Sequence, residues 1–218
     1  VVDPMTTAKV RRAYDAVAAD YAAYFPDTRA EAAGDLAMVD ALVEAVAAAG
    51  GGPVLDAGCG TGRMSRYLAD RGVAASGIDL SPGMVAQAAR RNPDLRFAVG
   101  SIADLPHSDG SFAAVMLWYS IIHTPPAGQP ALLAEARRVV RDDGLLLVAF
   151  QAGSGERDVA PSYRQFGHEI ELVRYPVTPD EVAGWLAETG WREVRRAVRP
   201  AREGERDDQA ALLARARP

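Results

Sequence analysis

Three glycines at alternate positions, Gly58, Gly60 and Gly62, form the segment whose spacing most clearly indicates chemistry. They follow a β-prone apolar pair, and residues 63–71 then show the apolar spacing of a helix. A glycine turn between a strand and a helix exposes backbone N–H groups at the positive helix end and removes side chains that would keep a ligand away. The segment therefore predicts a site for a nucleotide-like cofactor. Its predicted contact residues are Asp56, Gly58, Cys59, Gly60, Thr61 and Gly62.

A second acid follows the glycine turn at a spacing that suits a ribose. Residues 74–78 are typical of a strand, and Asp79 comes directly after them, 79 − 58 = 21 residues beyond Gly58. A carboxylate about 20 residues beyond such a turn is placed to accept hydrogen bonds from ribose hydroxyls. Ser81 and Pro82 then suit the cap and the first position of the next helix.

The alternate-glycine spacing differs from the G-x-G-x-x-G turn of dinucleotide enzymes. Residues 54–62 resemble the first motif of the class I S-adenosylmethionine-dependent methyltransferases, and residues 77–84 look like the second motif of that family. The resemblance implies that Leu80 packs on the adenine and that Met84 walls the same pocket. It also implies S-adenosylmethionine as the cofactor and S-adenosylhomocysteine as the product.

Residues 97–106 are similar to the third segment of the family but depart from it in one position. Ser101 stands where the family usually has an Asp that binds the adenine amine, and Asp104 lies outside the adenine position. The Ser101 hydroxyl and the Ile102 backbone N–H are therefore expected to meet the adenine edge. Ala113 likewise stands where the family has an acid before the fourth strand.

The fourth predicted strand, residues 113–118, leads into aromatic and polar residues at the sheet edge where doubly wound sheets bind ligands. Trp118, Tyr119 and Ser120 are expected to flank the methionine half of the cofactor. His123 follows, and because histidine titrates near neutrality it is the candidate general base. The alternative for His123 is a structural role, with its ring bonded to a backbone carbonyl.

Aromatic side chains in two further regions are candidates for the cofactor and acceptor sites. Tyr14 and Tyr21 share a helical face, and in the family such an N-terminal helix closes over the cofactor. The alternative is an aromatic stripe that packs on the sheet. Residues 151–176 join a charged Gly/Ser-rich stretch to aromatics, which suits a lid over an acceptor with an apolar or aromatic body. The predicted acceptor contacts are Tyr24, Tyr163, Phe166 and His168.

Length and composition are those of one ordinary globular domain. The 218 residues are 49% hydrophobic and 24% charged, with a net charge of −5. That charge argues against broad nucleic-acid binding, and no apolar run approaches the ~20 residues that span a membrane. The single cysteine allows no intrachain disulfide and fits a reducing cytoplasm. No group of His, Cys and acids has metal-ligand spacing, so no metal site is expected.

The alternation of strands and helices over residues 50–150 predicts an α/β fold with a parallel sheet and right-handed crossovers. The resemblance implies a doubly wound, seven-stranded mixed sheet with a helical N-terminal cap and an antiparallel C-terminal strand pair. The predicted single domain, residues 1–218, comprises a cap over residues 6–49 that is broken near Pro26, a cofactor-binding core over 50–150, a lid over 151–176, and a helix and strands over 177–218. Further elements are expected as helices at residues 126–141 and 179–188, a turn at 142–144, and strands at 145–150, 169–177, 192–198 and 209–215.

The resemblance implies methyl transfer from S-adenosylmethionine to an O, N or C nucleophile of a small-molecule acceptor. A sulfonium methyl group is already activated, so catalysis rests on alignment, and a base is needed only where the nucleophile carries a proton. Two other functions stay open. One is a protein that binds the cofactor without transfer, since a fold does not fix a function. The other is a nicotinamide oxidoreductase, which the glycine spacing disfavours.

Overall fold

The computed structural model describes residues 2–164 and 166–218, and those residues form seven α-helices, two 3-10 turns and nine strands. The helices are α1 (Pro4–Tyr24), α2 (Ala33–Ala48), α3 (Arg63–Ala69), α4 (Pro82–Arg91), α5 (Gln129–Val139), α6 (Pro161–Arg164) and α7 (Pro179–Glu188). The strands are β1 (Val54–Ala57), β2 (Ala75–Asp79), β3 (Arg96–Val99), β4 (Phe112–Trp118), β5 (Val140–Ala152), β6 (Arg157–Asp158), β7 (Val173–Arg174), β8 (Trp191–Arg199) and β9 (Asp208–Ala216).

Seven strands form one mixed sheet in the order β3-β2-β1-β4-β5-β9-β8. The strands from β3 to β5 are parallel, whereas β9 is antiparallel to both β5 and β8. The strand order reverses between β1 and β4, and ligands bind at the carboxyl ends of strands beside such a switch point. The predicted seven-stranded fold with its antiparallel strand pair is therefore confirmed.

Both faces of the central sheet are buried, because helices cover each of them. Val54 and Met116 pack in an apolar cluster with α2 and α3, while Leu55 and Val115 pack with α5 and α7 on the opposite face. Alternate residues of one strand thus enter different clusters, as the two-residue period of a strand requires. All seven residues of β4 are buried, so this strand lies in the interior of the protein along its whole length.

The N-terminal helix α1 lies against α4 rather than on the sheet. Asp3 caps α1 by accepting the N–H groups of Met5 and Thr6, and the helix ends before Pro26. Val17 and Ala18 are buried against Met84, and the ring of Tyr14 packs at the rim of this small cluster. The break expected near Pro26 therefore separates two helices with different partners.

Three predicted boundaries differ from the structure. The strand predicted at residues 169–177 is only the two-residue β7, because its partner β6 is equally short. The turn predicted at 142–144 is a bulge inside β5, where the ladder to β4 skips from Val140 to Leu145. The helix predicted at 126–141 consists of a 3-10 turn followed by α5, which ends before the bulge.

Candidate functional site

The glycine turn joins β1 to α3 with a backbone that only glycine adopts easily. Gly58, Gly60 and Gly62 have φ values of 83°, 53° and 78°. A Cβ on Gly58 would stand 2.3 Å from the Cβ of Ser120, whereas a Cβ on Gly60 would meet no atom within 4 Å. Gly60 lines the central cavity, so its missing side chain leaves space that a ligand can fill.

The turn is fixed to the end of β2 by its own N–H groups. The N–H groups of Gly58 and Cys59 both donate to the carbonyl oxygen of Ile78, at 2.7 and 3.0 Å. The Gly60 N–H donates to Asp79 Oδ2 at 2.8 Å, and the Ser81 N–H donates to Asp79 Oδ1 at 2.9 Å. Backbone groups from two adjacent strand ends therefore orient the Asp79 carboxylate before any ligand binds.

Asp79 keeps the capacity to bind hydroxyls. Each carboxylate oxygen has two lone-pair sites, and the two backbone N–H groups occupy only one site on each oxygen. Burial raises the pKa of Asp79, while the Ser81 and Gly60 N–H groups act in the opposite direction. The carboxylate is thus a partly buried acceptor that lines the cavity, as recognition of two ribose hydroxyls needs.

The cavity has a volume of about 980 Å³, which can hold a cofactor beside a small second molecule. Its glycine end is formed by Gly58, Gly60, Asp79, Leu80 and Met84, and its histidine end by Tyr14, His123, Tyr163, Phe166 and Arg174. The predicted site residues that line it are Tyr14, Tyr21, Tyr24, Gly58, Cys59, Gly60, Asp79, Leu80, Met84, Ser101, Ile102, Trp118, Tyr119, Ser120, His123, Tyr163 and Phe166.

Four predicted contact residues are not among the residues that line the cavity. Asp56 is buried inside β1, where it accepts the Ser65 hydroxyl at 2.6 Å, and burial raises the pKa of Asp56 to about 6. Thr61 is also buried, and a Cβ on Gly62 would point at Phe97 instead. Asp56, Thr61 and Gly62 are thus buried on the side of the turn that faces away from the cavity. The fourth, His168, places its Nε2 at 2.6 Å from an Asp20 carboxylate oxygen outside the cavity.

His123 is held by a hydrogen bond on each ring nitrogen. Its Nδ1 lies 2.6 Å from the carbonyl oxygen of Val173, and its Nε2 lies 2.8 Å from the hydroxyl oxygen of Tyr14. A carbonyl only accepts, so Nδ1 carries the proton and Nε2 accepts the Tyr14 hydroxyl proton. Burial lowers the pKa of His123 to about 4, so the imidazole is neutral at neutral pH.

The Tyr14 side chain lies near Tyr163 as well as His123. Tyr14 and Tyr163 pack in the same small cluster, and burial raises the pKa of both phenols well above the ordinary value. The hydrogen-bonded chain along this cavity wall therefore runs from Tyr14 to His123 to the Val173 carbonyl.

An acid of α1 that sequence reasoning missed fixes this helix at the cavity. Asp15 Oδ1 accepts the Ser81 hydroxyl at 2.5 Å and the Gly83 N–H at 3.0 Å, at the N-terminus of α4. A carboxylate at the positive end of a helix is favourable, so this contact helps to hold Tyr14 over the site. The only sequence signal was the acid next to Tyr14.

Buried arginines are the second group that sequence reasoning missed. Arg63, the first residue of α3, lines the cavity and forms an ion pair with Glu31, with little side-chain exposure on either partner. Arg174 lines the histidine end and pairs with Asp207 at 2.7 Å. The position of Arg63 directly after the last glycine could have indicated a role, whereas Arg174 lies in a segment with no recognisable pattern.

Within residues 2–164 and 166–218, no group of three or more His, Cys, Asp or Glu side chains is arranged to hold a metal ion. Over the same residues, none of the helices has both the length and the apolar composition needed to cross a membrane.

Comparison with known proteins agrees with the motifs. A family model described as a methyltransferase domain matches residues 54–144. A demethylmenaquinone methyltransferase from Beutenbergia cavernae is 38% identical over 173 residues, which cover 71% of this chain and 71% of that protein. A malonyl-[acyl-carrier protein] O-methyltransferase from Geobacter sulfurreducens is 32% identical over 203 residues, covering 85% of this chain and 71% of that protein.

A solved structure shows the same fold over the whole chain. Magnesium protoporphyrin IX methyltransferase from Synechocystis PCC 6803, with bound S-adenosylmethionine, has a TM-score of 0.72 at 21% identity and covers 99% of this chain and 98% of its own. The glycine end fits the same cofactor, because Gly60 leaves space and Asp79 presents free lone pairs to it. The chain belongs to the class I S-adenosylmethionine-dependent methyltransferases, and S-adenosylmethionine is its methyl donor.

Proposed function

We propose that this enzyme methylates a nucleophile of a small organic acceptor that binds at the histidine end of the cavity. The observation that carries the proposal is the Tyr14–His123 hydrogen bond of 2.8 Å on the cavity wall, next to the aromatic residues of the lid segment. A neutral imidazole that accepts a phenol proton can relay a proton away from a bound acceptor. Because the cofactor occupies the glycine end of the cavity, the acceptor binds at the histidine end.

When bound, S-adenosylmethionine supplies a sulfonium methyl group with a neutral thioether as leaving group. Gly60 admits the ligand at close backbone approach, Asp79 holds the ribose, and Trp118 and Tyr119 line the same cavity. The protein thus aligns the acceptor with the methyl–sulfur bond and excludes water, which contributes on the order of 7 to 11 kcal/mol to lowering the barrier.

The proton of the acceptor leaves through the side chains of the histidine end. The acceptor nucleophile gives its proton to the Tyr14 hydroxyl oxygen as Tyr14 passes its own proton to His123 Nε2. Because the pKa of His123 is about 4, the imidazolium is short-lived at neutral pH and returns its proton to solvent after turnover. Transfer to a nucleophile without a proton needs only the alignment.

We infer that residues 151–176 act as the lid of a single domain, with α1 and α2 as its cap. Tyr24 of α1 and Phe166 of the lid segment stack edge to face, with ring centroids 5.5 Å apart, and both line the cavity. Lys9 of α1 also pairs with Glu171 at 3.0 Å. Contacts between cap and lid at the cavity mouth support an acceptor with an apolar or aromatic body.

The relatives support an organic acceptor. Demethylmenaquinone, malonyl-[acyl-carrier protein] and magnesium protoporphyrin IX are the acceptors that their names state. We further infer action in the cytoplasm and no nucleic-acid acceptor, because the lone cysteine is buried in the glycine turn and the net charge is −5.

The test is a screen of metabolites for release of S-adenosylhomocysteine, followed by His123→Asn. We expect the variant to lower turnover of the acceptor about 10²-fold, with little change in affinity for S-adenosylhomocysteine. Tyr14→Phe should cost a similar factor, and the double variant little more, because both belong to one relay. His107→Asn, in a loop outside the cavity, is the matched control. Full activity of His123→Asn at every pH would leave alignment as the whole mechanism.

A further inference from the structure

Two arginines of the lid segment share one buried carboxylate. Arg157 Nη2 donates to Asp207 Oδ1 at 3.0 Å, and Arg174 Nη2 donates to Asp207 Oδ2 at 2.7 Å. The side chain of Asp207 is only 4% exposed, that of Arg174 is 17% exposed, and that of Arg157 is 35% exposed. The single negative charge of the Asp207 carboxylate is therefore paired with two guanidinium groups at a site with little solvent exposure.

The two guanidinium groups differ in what lies beside them. Arg174 lines the cavity, whereas Arg157 does not. Arg174 has five N–H donors, of which Asp207 takes one, and its Nε has no partner among the described residues. A cation that leaves water needs a counter-charge or a full set of hydrogen bonds, so this guanidinium can take an anion from the cavity.

Arg174 also stands next to the proposed relay. The preceding residue, Val173, gives its carbonyl oxygen to His123 at 2.6 Å. The charge of Arg174 acts on the ring of His123 and on the phenol of Tyr163, where it favours the uncharged imidazole and the phenolate. An anion on Arg174 would therefore bind within reach of the histidine end.

Neighbouring charges do not already satisfy Arg174. Arg199 forms its own pairs with Asp35 and Glu205, at 2.8 and 2.6 Å. Asp158 is exposed and accepts a backbone N–H of its own loop at 2.9 Å. Over residues 2–164 and 166–218, Arg174 has Asp207 as its one ion-pair partner within 4.0 Å.

We propose that the acceptor carries a carboxylate, which pairs with the Arg174 guanidinium. This inference rests on the proposed function and narrows its acceptor to the organic acids. A carboxylate fits because its two oxygens match the planar donor edge of a guanidinium, and Arg–carboxylate pairs are both short and directional. Arg174 thus selects and orients the acceptor, while Asp207 holds Arg174 in place from behind.

The experiment uses the full chain saturated with S-adenosylhomocysteine and three pairs of probes. Benzoate, 4-hydroxybenzoate and hexanoate are each compared with their amides by calorimetry, because each amide keeps the shape and loses the charge. We expect at least one acid to bind about tenfold or more tightly than its amide. Arg174→Gln should abolish that preference, and Arg174→Lys should retain part of it.

Arg157→Gln is the matched control, because it removes a second guanidinium from the same Asp207 outside the cavity. We expect it to keep the preference for the acid, and all variants to keep wild-type affinity for S-adenosylhomocysteine. Equal binding of every acid and its amide, or an unchanged preference in Arg174→Gln, would overturn the inference. Failure of the wild type to bind S-adenosylhomocysteine would instead overturn the proposed function.

Discussion

At the glycine end of the cavity, the site is built from backbone groups that are close in sequence, whereas at the histidine end it is built from side chains of distant segments. The Gly60 N–H meets an acid 19 residues later. The Tyr14 hydroxyl meets a ring 109 residues later, and that ring meets a carbonyl after 50 more. A backbone site is fixed once the sheet forms, whereas a side-chain site depends on the docking of three separate segments.

The difference implies different sensitivities. At the glycine end, the cost of a substitution arises from lost space or a lost acceptor, and it should appear in cofactor affinity. At the histidine end, the cost of a substitution should appear in turnover, in acceptor affinity and in the pH dependence of stability. Cofactor affinity should stay nearly unchanged there. The following predictions test that separation in order of decreasing effect.

The largest effect is expected for Gly60→Val, which should weaken binding of S-adenosylhomocysteine about 10³-fold or more. A valine would fill the space in which a ligand approaches the turn, since a Cβ there points into the cavity. Calorimetry on the folded variant measures the loss. Gly72→Val is the control, because Gly72 also has a positive φ and open space but lies outside the cavity. Equal losses in both variants would assign the effect to strain.

The next effect concerns the stability of the histidine end against pH. The pKa of His123 is about 4 in the folded chain and near 6.5 when unfolded. Between these values the unfolded chain binds more protons, so His123 lowers the free energy of unfolding as pH falls from 6.5 to 4. The loss is on the order of 3 kcal/mol. In His123→Asn this contribution should disappear, as urea unfolding at pH 7 and pH 4.5 would show.

Asp56 provides a comparison of opposite sign. Its pKa is about 6 when folded, against 3.8 unfolded, so the folded chain binds more protons between pH 3.8 and 6. Lowering the pH from 6 to 3.8 therefore raises the contribution of Asp56 to the free energy of unfolding, because the folded chain takes up the proton more readily. We expect Asp56→Asn to make the loss of stability at low pH steeper than in the wild type. Parallel pH curves for the wild type and both variants would contradict the assignment of these two groups.

A smaller effect, a loss of about 10- to 100-fold in cofactor affinity, is expected for Asp79→Ala. The carboxylate accepts two backbone N–H groups and has lone pairs left for ribose hydroxyls. Asp104→Ala is the control, because Asp104 does not line the cavity and its N–H bonds only to the nearby Ser101 carbonyl. A similar loss of S-adenosylhomocysteine affinity in both variants would show that residues 100–106 bind the adenine in another register.

The sequence predicted the glycine end well because its determinants are local. A glycine at positive φ and an acid at the end of the next strand follow from spacing alone. In the structure, the Gly60 N–H donates to Asp79 Oδ2 at 2.8 Å. The same reasoning assigned ligand contact to Asp56, Thr61 and Gly62. Spacing cannot show which face of a turn meets the cavity, and these three support the turn from its other side.

The histidine end was only partly predictable, since its contacts depend on tertiary packing. Tyr14 and His123 were both candidates, but nothing in their spacing indicates that they are bonded to each other. The alternatives for His123, a base or a ring bonded to a carbonyl, turn out to be compatible, because each role uses a different nitrogen. The Asp207 cluster joins residues 33 and 50 positions apart and had no sequence signal.

The smallest effect is expected for Phe166→Ala, which should raise the KM for the acceptor about fivefold and leave kcat and cofactor affinity nearly unchanged. Phe166 lines the histidine end and packs on Tyr24. Under the proposed function, its removal therefore loses apolar contact with the acceptor and weakens the proposed contact between cap and lid. Burial of part of an aromatic ring is worth about 1 kcal/mol, which corresponds to that factor. Tyr175→Ala is the control, because Tyr175 belongs to the same segment but does not line the cavity. A change in kcat or cofactor affinity in Phe166→Ala would mean that the lid also closes on the cofactor, and the two ends would then not be separate.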